Sequence, residues 1–228
     1  LADLSERVVR SFGEALHSLG ITVPFFISQN DGTLMSADFV ERYPVLTFAS
    51  GPTNSMRGAA YLSGCKDAIV VDIGGTTTDV GVLVNGFPRE SSLAVDIGGV
   101  RTNFRMPDIL AVGLGGGSKV APGDPRAIGP QSVGYRLAKD ALVFGGDTLT
   151  TTDIAVAAGI ADIGDRSRVR HLDAGFVAAA LDEIHRKVEQ AIDRMKTSGD
   201  DATVVLVGGG SVLIDRDLAG VGELLVPE

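Results

Sequence analysis

Tryptophan is absent from this 228-residue chain, and aromatic residues make up only 5% of it. A thick aromatic core is therefore excluded, and the interior has to be built from the aliphatic part of a 44% hydrophobic composition. That composition suffices for one large core or two smaller lobes and argues against disorder. Cys65 is the single cysteine, which rules out an internal disulfide and a cysteine-rich zinc centre; its expected place is as a small buried filler. Only three histidines occur, His17, His171 and His185; they are far apart, and surface or satisfied roles are expected of them. Positive charge is also short: 20 Lys and Arg against 29 Asp and Glu leave a net charge of -9, so a duplex nucleic acid is not an expected partner. No apolar run has the length of a membrane span, and no basic segment precedes an apolar one as in a secretory leader. A soluble cytoplasmic protein is the default expectation. HExxH, a nucleophile elbow and a P-loop are all missing, and "GLGGGSKV" puts Ser118 where a dinucleotide fingerprint would need its last glycine.

Glycine is abundant by contrast, with 30 residues, as expected for many tight strand-to-helix turns. Leu4, Val8, Phe12, Ala15 and Leu19 space out an amphipathic helix ended by Gly20. "ITVPFFISQ" predicts a strand with Pro24 at an edge or bulge, "NDG" a turn, "SADFVERYP" a short helix capped by Ser36, and "VLTFAS" another strand. "GPTNSMRGAAYLSG" predicts a helix. "DAIVVDIG" and "TTDVGVLVNG" predict an antiparallel hairpin, with Asn85-Gly86 turning the chain into a further strand. "APGDPRAIGPQSVGY" is expected to be a loop, and "TTTDIAVAAGI" a helix capped by Thr152 or Asp153. Val177, Leu181, Ile184, Val188, Ile192 and Met195 mark the longest helix, from Asp173 to Gly199. "DATVVLVGGGSVLI" closes the series as a buried strand, a glycine turn and a short helix. Alternating strands and helices with hairpins among them predict an α/β architecture with a mixed β-sheet layered with helices.

The stretch "VVDIGGTTTDVG" concentrates chemistry at one turn. Asp72 ends an apolar strand, where a carboxylate needs solvent, a metal or donors. Gly74 and Gly75 let a phosphate approach the backbone N–H groups, Thr76, Thr77 and Thr78 add hydroxyls, and Asp79 adds a second carboxylate. These are the parts of a Mg²⁺–phosphate site. The plain alternative is a tight hairpin with a structural Asx or ST turn. The turn Gly208, Gly209, Gly210, Ser211 can lie flat against a nucleoside, a weak signal alone because close strand–helix packing also favours glycine. "VDIGG" recurs at residues 95–99 and "GGGS" at 115–118. Arg101 and Arg105 flank "TNF", more as a solvated pair than as an anion site.

"VVDIGGTTTDVG" resembles the second phosphate motif of the actin-like ATPase (ribonuclease H-like) fold, and "VVLVGGGSVLI" resembles its adenosine motif. The ordered set "ASGPTNSMRGAAYLSG", "DIGGTTTD", "MPDILAVGLGGGSKV" and "GGDTLTTTDIAVAAG" is similar to the hydantoinase A family of N-methylhydantoinases, 5-oxoprolinases and related carboxylase subunits. The resemblance implies a single domain over 1–228, ATP and Mg²⁺ as cofactors, and ATP-driven phosphorylation of a cyclic amide carbonyl followed by ring opening. It implies Gly74, Gly75, Thr76 and Thr77 on phosphate, and Gly208 to Ser211 on the nucleoside. Asp72 would hold the metal or orient the nucleophile, with Asp79 as its alternate. Gly115, Gly116 and Asp153 are further candidates near the cleft. "VGYRLAKDALVFGG" departs from the family's proline-rich stretch with its cysteine and tyrosine, which bears on substrate identity. No second Asp-Gly-Gly-Thr loop precedes Asp72, and the chain opens without methionine. The expectation is one wall of an ATP cleft, inactive alone, whose partners are the missing amino-terminal half and a B-type subunit. The rival expectations are a small-molecule kinase of the same fold and a non-catalytic nucleotide-binding regulatory subunit.

Overall fold

The first apolar stripe folds as α1 (Ala2–Ser18), and Gly20, at φ +75°, turns the chain away from it. A hairpin follows, β1 (Phe26–Ser28) and β2 (Leu34–Ser36), closed by an Asx turn in which Asp31 accepts from the Thr33 N–H at 2.8 Å. Ser36 precedes α2 (Ala37–Arg42) as expected, but its side chain makes no capping bond. Residues 44–47 are a 3₁₀ turn rather than the expected strand. Pro44 fixes the first φ of that turn, and the Thr47 hydroxyl returns to the Pro44 carbonyl at 2.7 Å. These elements share a small core of Val9, Met35 and Val40. The computed structural model describes residues 2–91, 96–97, 100–101 and 106–227, with the backbone alone at 2, 96–97 and 100–101. The expectations for Arg101, Arg105 and the second "VDIGG" fall outside the described side chains.

α3 (Ser50–Ser63) ends at Gly64, whose left-handed φ of +73° lets its N–H reach the Ala60 carbonyl. The predicted hairpin is present as β3 (Ala68–Ile73) and β4 (Thr78–Val84), antiparallel, and Asn85-Gly86, both at positive φ, turns β4 into β5 (Phe87–Pro88). A two-residue pair, β6 (Asp96–Ile97) with β7 (Val100–Arg101), precedes β8 (Ile109–Val112), which joins β4. The expected loop at 121–135 contains a second ribbon, β9 (Ser118–Ala121) with β10 (Asp124–Ser132). Two register shifts accommodate its prolines and glycines, which is why composition misreads it. Past the short α4 (Leu137–Asp140), α5 (Thr151–Ala158) is capped by Thr150, two residues before Thr152 and three before Asp153, the expected caps. α6 (Ala174–Met195) is capped by Asp173 as predicted; it ends at Met195 rather than Gly199, where Lys196 turns extended and its ammonium bonds the Gly220 carbonyl at 3.1 Å. β11 (Ala202–Val207) and β12 (Val221–Leu225) finish the chain.

The main sheet has the order β12-β11-β3-β4-β5, with β8 also on β4. β11 is parallel to both β3 and β12, and the β4 pairings are antiparallel, so the sheet is mixed as expected. Period-two alternation divides the strand residues between two helical layers. Ile69, Val71, Ile73, Val80, Val204 and Leu206 pack with α6 and α5. Val70, Leu83 and Val205 pack with Met56 and Ala59 of α3. Asp72 and Asp79 continue the α3-side rows of β3 and β4, at the end of the sheet where both strands reach the glycine turn. Among the described residues, no helix is long and apolar enough to cross a membrane.

Candidate functional site

The site is the tip of the β3–β4 hairpin. A bond from the Gly74 N–H to the Thr77 carbonyl at 2.9 Å closes the turn. Gly75, Thr76 and Thr77 stand exposed, and among the described residues their N–H groups and the two threonine hydroxyls have no protein partner. A β-carbon at Gly75 would meet nothing within 4 Å, so the glycine leaves a clear approach to the backbone from solvent. Thr78 differs from its neighbours: it is buried, and its hydroxyl donates to the Leu114 carbonyl at 2.7 Å.

Asp72 and Asp79 are direct cross-strand partners, which puts their β-carbons about 5 Å apart on one face. Both are half-buried, and neither has a hydrogen bond or ion pair among the described residues. Burial, and then the Asp72 charge, push the Asp79 carboxyl above its ordinary range. Two adjacent carboxylates without a cation fit a divalent ion that keeps most of its water and takes its remaining oxygens from phosphate, as Mg²⁺ does. They do not make an all-protein cage, and no cluster of three or more metal-ligating side chains occurs among the described residues.

Gly115 and Gly116 were candidates for the ligand side, and they sit behind the turn instead. The Gly116 and Gly117 N–H groups donate to the carbonyls of Gly74 (2.9 Å) and Gly75 (2.7 Å), and the Gly115 N–H donates to the Ser118 hydroxyl at 2.8 Å. A β-carbon on Gly115 would fall 2.6 Å from both the Gly74 oxygen and the Thr76 nitrogen. These glycines brace the turn, and their own donors are engaged. The brace is held in turn by α5, whose Thr151 and Thr152 hydroxyls donate to the Gly115 (2.5 Å) and Gly116 (2.7 Å) carbonyls. Asp153 is fully buried in the capping box of that helix, accepting from the N–H groups of Val143 and Thr150 and from the Thr150 hydroxyl, each at 2.8 Å. Its oxygens face the protein rather than the cleft.

On the β11 side, Gly208 and Gly209 are exposed, and the Gly210 N–H donates to the Ile73 carbonyl at 2.7 Å. Gly208 has φ +88°, and a β-carbon there would collide with Asp72 Oδ1 and the Ile73 carbonyl. The two glycine turns thus touch. The expected short helix is a 3₁₀ turn of three residues, Ser211–Leu213. It is pinned from α6 by buried His185, whose Nε2 lies 3.1 Å from the Leu213 carbonyl and 3.2 Å from Asp215 Oδ1. Burial, and then Arg216, hold the imidazole below its ordinary pKa, so it is neutral and donates from Nε2. His185 takes the satisfied role expected of a histidine, and Ser132 is a supporting residue that sequence reasoning missed. The Ser132 hydroxyl donates to the Gly75 carbonyl at 3.2 Å, and only its place after "GP" hinted at it.

Comparison with known proteins places this geometry. The hydantoinase A family model (hydantoinase/oxoprolinase) matches residues 1–164. The acetophenone carboxylase gamma subunit of Aromatoleum aromaticum is 32% identical over 152 residues, 64% of this chain and 20% of that protein. Acetone carboxylase, an ATP-dependent enzyme solved without nucleotide, superposes over 93% of this chain and 34% of its own with TM-score 0.69 at 23% identity. ATP-dependent caprolactamase from Pseudomonas jessenii covers 92% of this chain and 34% of its own with TM-score 0.67 at 20% identity. The chain thus spans from a fifth to a third of the length of these relatives, and the superpositions show that its lobe has the actin-like ATPase fold. With its family model matched over most of its length, the chain belongs to the hydantoinase/oxoprolinase family.

Proposed function

We propose that this chain supplies the phosphate turn and one nucleoside wall of an ATP-dependent enzyme that activates a small carbonyl compound by phosphorylating its oxygen. The observation that carries the reading is the Gly74–Thr77 tip: three N–H groups and two hydroxyls free, beside two unpaired carboxylates on one face. Gly75, Thr76 and Thr77 would hold the terminal phosphate, and Gly208 and Gly209 would face the nucleoside. Asp72, with Asp79 as its alternate, would hold Mg²⁺ through water or orient the nucleophile. The bound ion would neutralise charge on the phosphate oxygens.

The finer reading is a cyclic amide of the hydantoin or 5-oxoproline type. An amide carbon is a poor electrophile because nitrogen donates into the carbonyl. Attack of the carbonyl oxygen on the terminal phosphorus forms a C–O–P bond as the bond to ADP breaks. Water then adds to the carbon, a proton passes to the ring nitrogen as the C–N bond opens, and a second water displaces phosphate from the acyl phosphate so formed. The turn's free donors would face the charge that builds on the transferring group, where preorganised N–H groups are most effective. A B-type subunit and further chain completing the cleft are the proposed partners, in keeping with the relative that is named as one subunit of a carboxylase.

Calorimetric titration with ATP and Mg²⁺, with Asp72→Asn alongside, tests the reading. Heat of binding that falls in the variant supports it. Binding indifferent to Asp72→Asn removes the metal assignment, and phosphate transfer to a hydroxyl compound without ring opening would establish the kinase alternative.

A further inference from the structure

The free donors of the turn owe their direction to the carbonyls behind them. A trans peptide is planar and carries its N–H on the edge opposite its carbonyl. The two peptides at the tip, Gly74–Gly75 and Gly75–Thr76, are both trans. The Gly74 carbonyl is held inward by the Gly116 N–H at 2.9 Å. The Gly75 carbonyl is held inward twice, by the Gly117 N–H at 2.7 Å and by the Ser132 hydroxyl at 3.2 Å. The N–H groups of Gly75 and Thr76 are therefore turned outward together, on the exposed side of the tip. Successive N–H groups that share one side form a concavity for an anion. Bare Gly115 lies against the face of the Gly75–Thr76 peptide, since a β-carbon there would fall 2.7 Å from the Gly75 carbonyl carbon and 2.6 Å from the Thr76 nitrogen.

Of these supports, Ser132 alone acts through a side chain. It ends β10, opposite Ser118 in the ribbon. Its hydroxyl accepts from the Gly134 N–H at 3.0 Å, and its single proton is left for the Gly75 carbonyl. The next residue, Val133, donates its N–H to the Gly117 carbonyl at 2.9 Å. One strand end thus holds both the Gly75 carbonyl and the glycine that shares it. A single hydrogen bond leaves a peptide plane free to rock about the bond, and a second donor from a different strand stops that motion. We propose that Ser132 is a positioning residue of the phosphate site, which aims the Thr76 N–H at the terminal phosphate of ATP by fixing the Gly75 carbonyl. ADP lacks that phosphate, so Ser132 acts on ATP and not on ADP. This inference rests on the assignment of the turn to the terminal phosphate made above.

The test is calorimetric titration of the intact protein with its subunits, with ATP and ADP as separate probes in the presence of Mg²⁺. Ser132→Ala should weaken ATP about three- to tenfold, the worth of one hydrogen bond, and leave ADP within about twofold. Ser132→Thr keeps the hydroxyl, and its branched β-carbon suits a strand end, so it should bind ATP as the unaltered protein does. Thermal melts of the same samples should place Ser132→Ala within about 3 °C of the unaltered protein. Equal losses for ATP and ADP would make Ser132 a purely structural residue and overturn the proposal. Unchanged ATP affinity in Ser132→Ala, or a Thr variant as weak as Ala, overturns it as well. Failure of the underlying reading has a different signature, visible without any variant: the unaltered protein would bind no nucleotide, or would bind ADP and ATP alike.

Discussion

Gly75 and Gly209 face open space, whereas Gly208 and Gly210 are wedged against β3. That contrast separates binding from folding. Gly75→Ala and Gly209→Val should leave the melting temperature unchanged and weaken ATP, because each new side chain enters only the volume of the proposed ligand. Gly208→Ala should cost about 1–3 kcal/mol of stability, since a positive φ and a collision with Asp72 act together. Denaturant melts and ATP titrations on the same samples distinguish the pairs, and a large loss of stability in Gly75→Ala would show that the tip is a structural turn. Asp79 carries a pH signature. Its folded pKa is raised, so the folded state binds the proton more tightly than the unfolded state does. Stability attributable to it therefore falls as pH rises from the ordinary carboxylate value through the raised one. Asp79→Asn should stabilise the ligand-free protein near neutral pH and have no stabilising effect in acid. Added Mg²⁺ should shrink the difference at neutral pH if the pair holds the ion.

At the scale of elements, α5 and α6 position the two glycine turns from behind. Asp153 is buried and accepts three hydrogen bonds, so Asp153→Ala should cost about 3 kcal/mol by leaving those donors unsatisfied and removing the cap. Nucleotide affinity should fall along with stability, because the same helix holds Gly115 and Gly116 through Thr151 and Thr152. A stability loss without any change in affinity would mean that the brace does not shape the turn. His185 acts on the other turn. Its folded pKa is lowered, so stability is complete above the ordinary imidazole value and declines as pH falls through it towards the lowered one. His185→Gln, which keeps a donor for the Leu213 carbonyl, should flatten that decline. Thermal melts across the imidazole range check it, and an unaltered slope would assign the titration elsewhere.

For the whole molecule, the tip of the hairpin and Gly208 and Gly209 open to solvent on one side of the lobe. A nucleotide bound there would touch protein on one side only, so its affinity for this chain should be weak and should rise when the remaining length of the relatives' architecture is restored. Comparative titration measures this directly; equal affinities would mean that the lobe closes its own site.

Much of this organisation was legible before folding. The β3–β4 hairpin, the Asn85-Gly86 turn, the Asp173 cap and the stripe of α6 are written in residues a few positions apart, because strand alternation, helix periodicity and turn chemistry are local. The sequence by itself also determined the contents of the phosphate turn: which side chains are small, which carry hydroxyls and which carry charge. Only the tertiary structure decided which of them are available. Thr76 and Thr78 are the same residue type two positions apart, yet one hydroxyl is free and the other is bound to Leu114, 36 residues on. Gly115 and Gly209 are both glycines in glycine runs, yet one braces the turn from behind and the other faces solvent. Asp153 and Asp72 are both carboxylates, yet only Asp153 is enclosed by donors. Asp153 is enclosed by its own capping box and by Val143, ten residues back. For the threonines and the glycines the partner that settles the outcome lies about 36 to 40 residues away in sequence, and hydrogen-bond satisfaction across such separations exists only once the sheet has assembled.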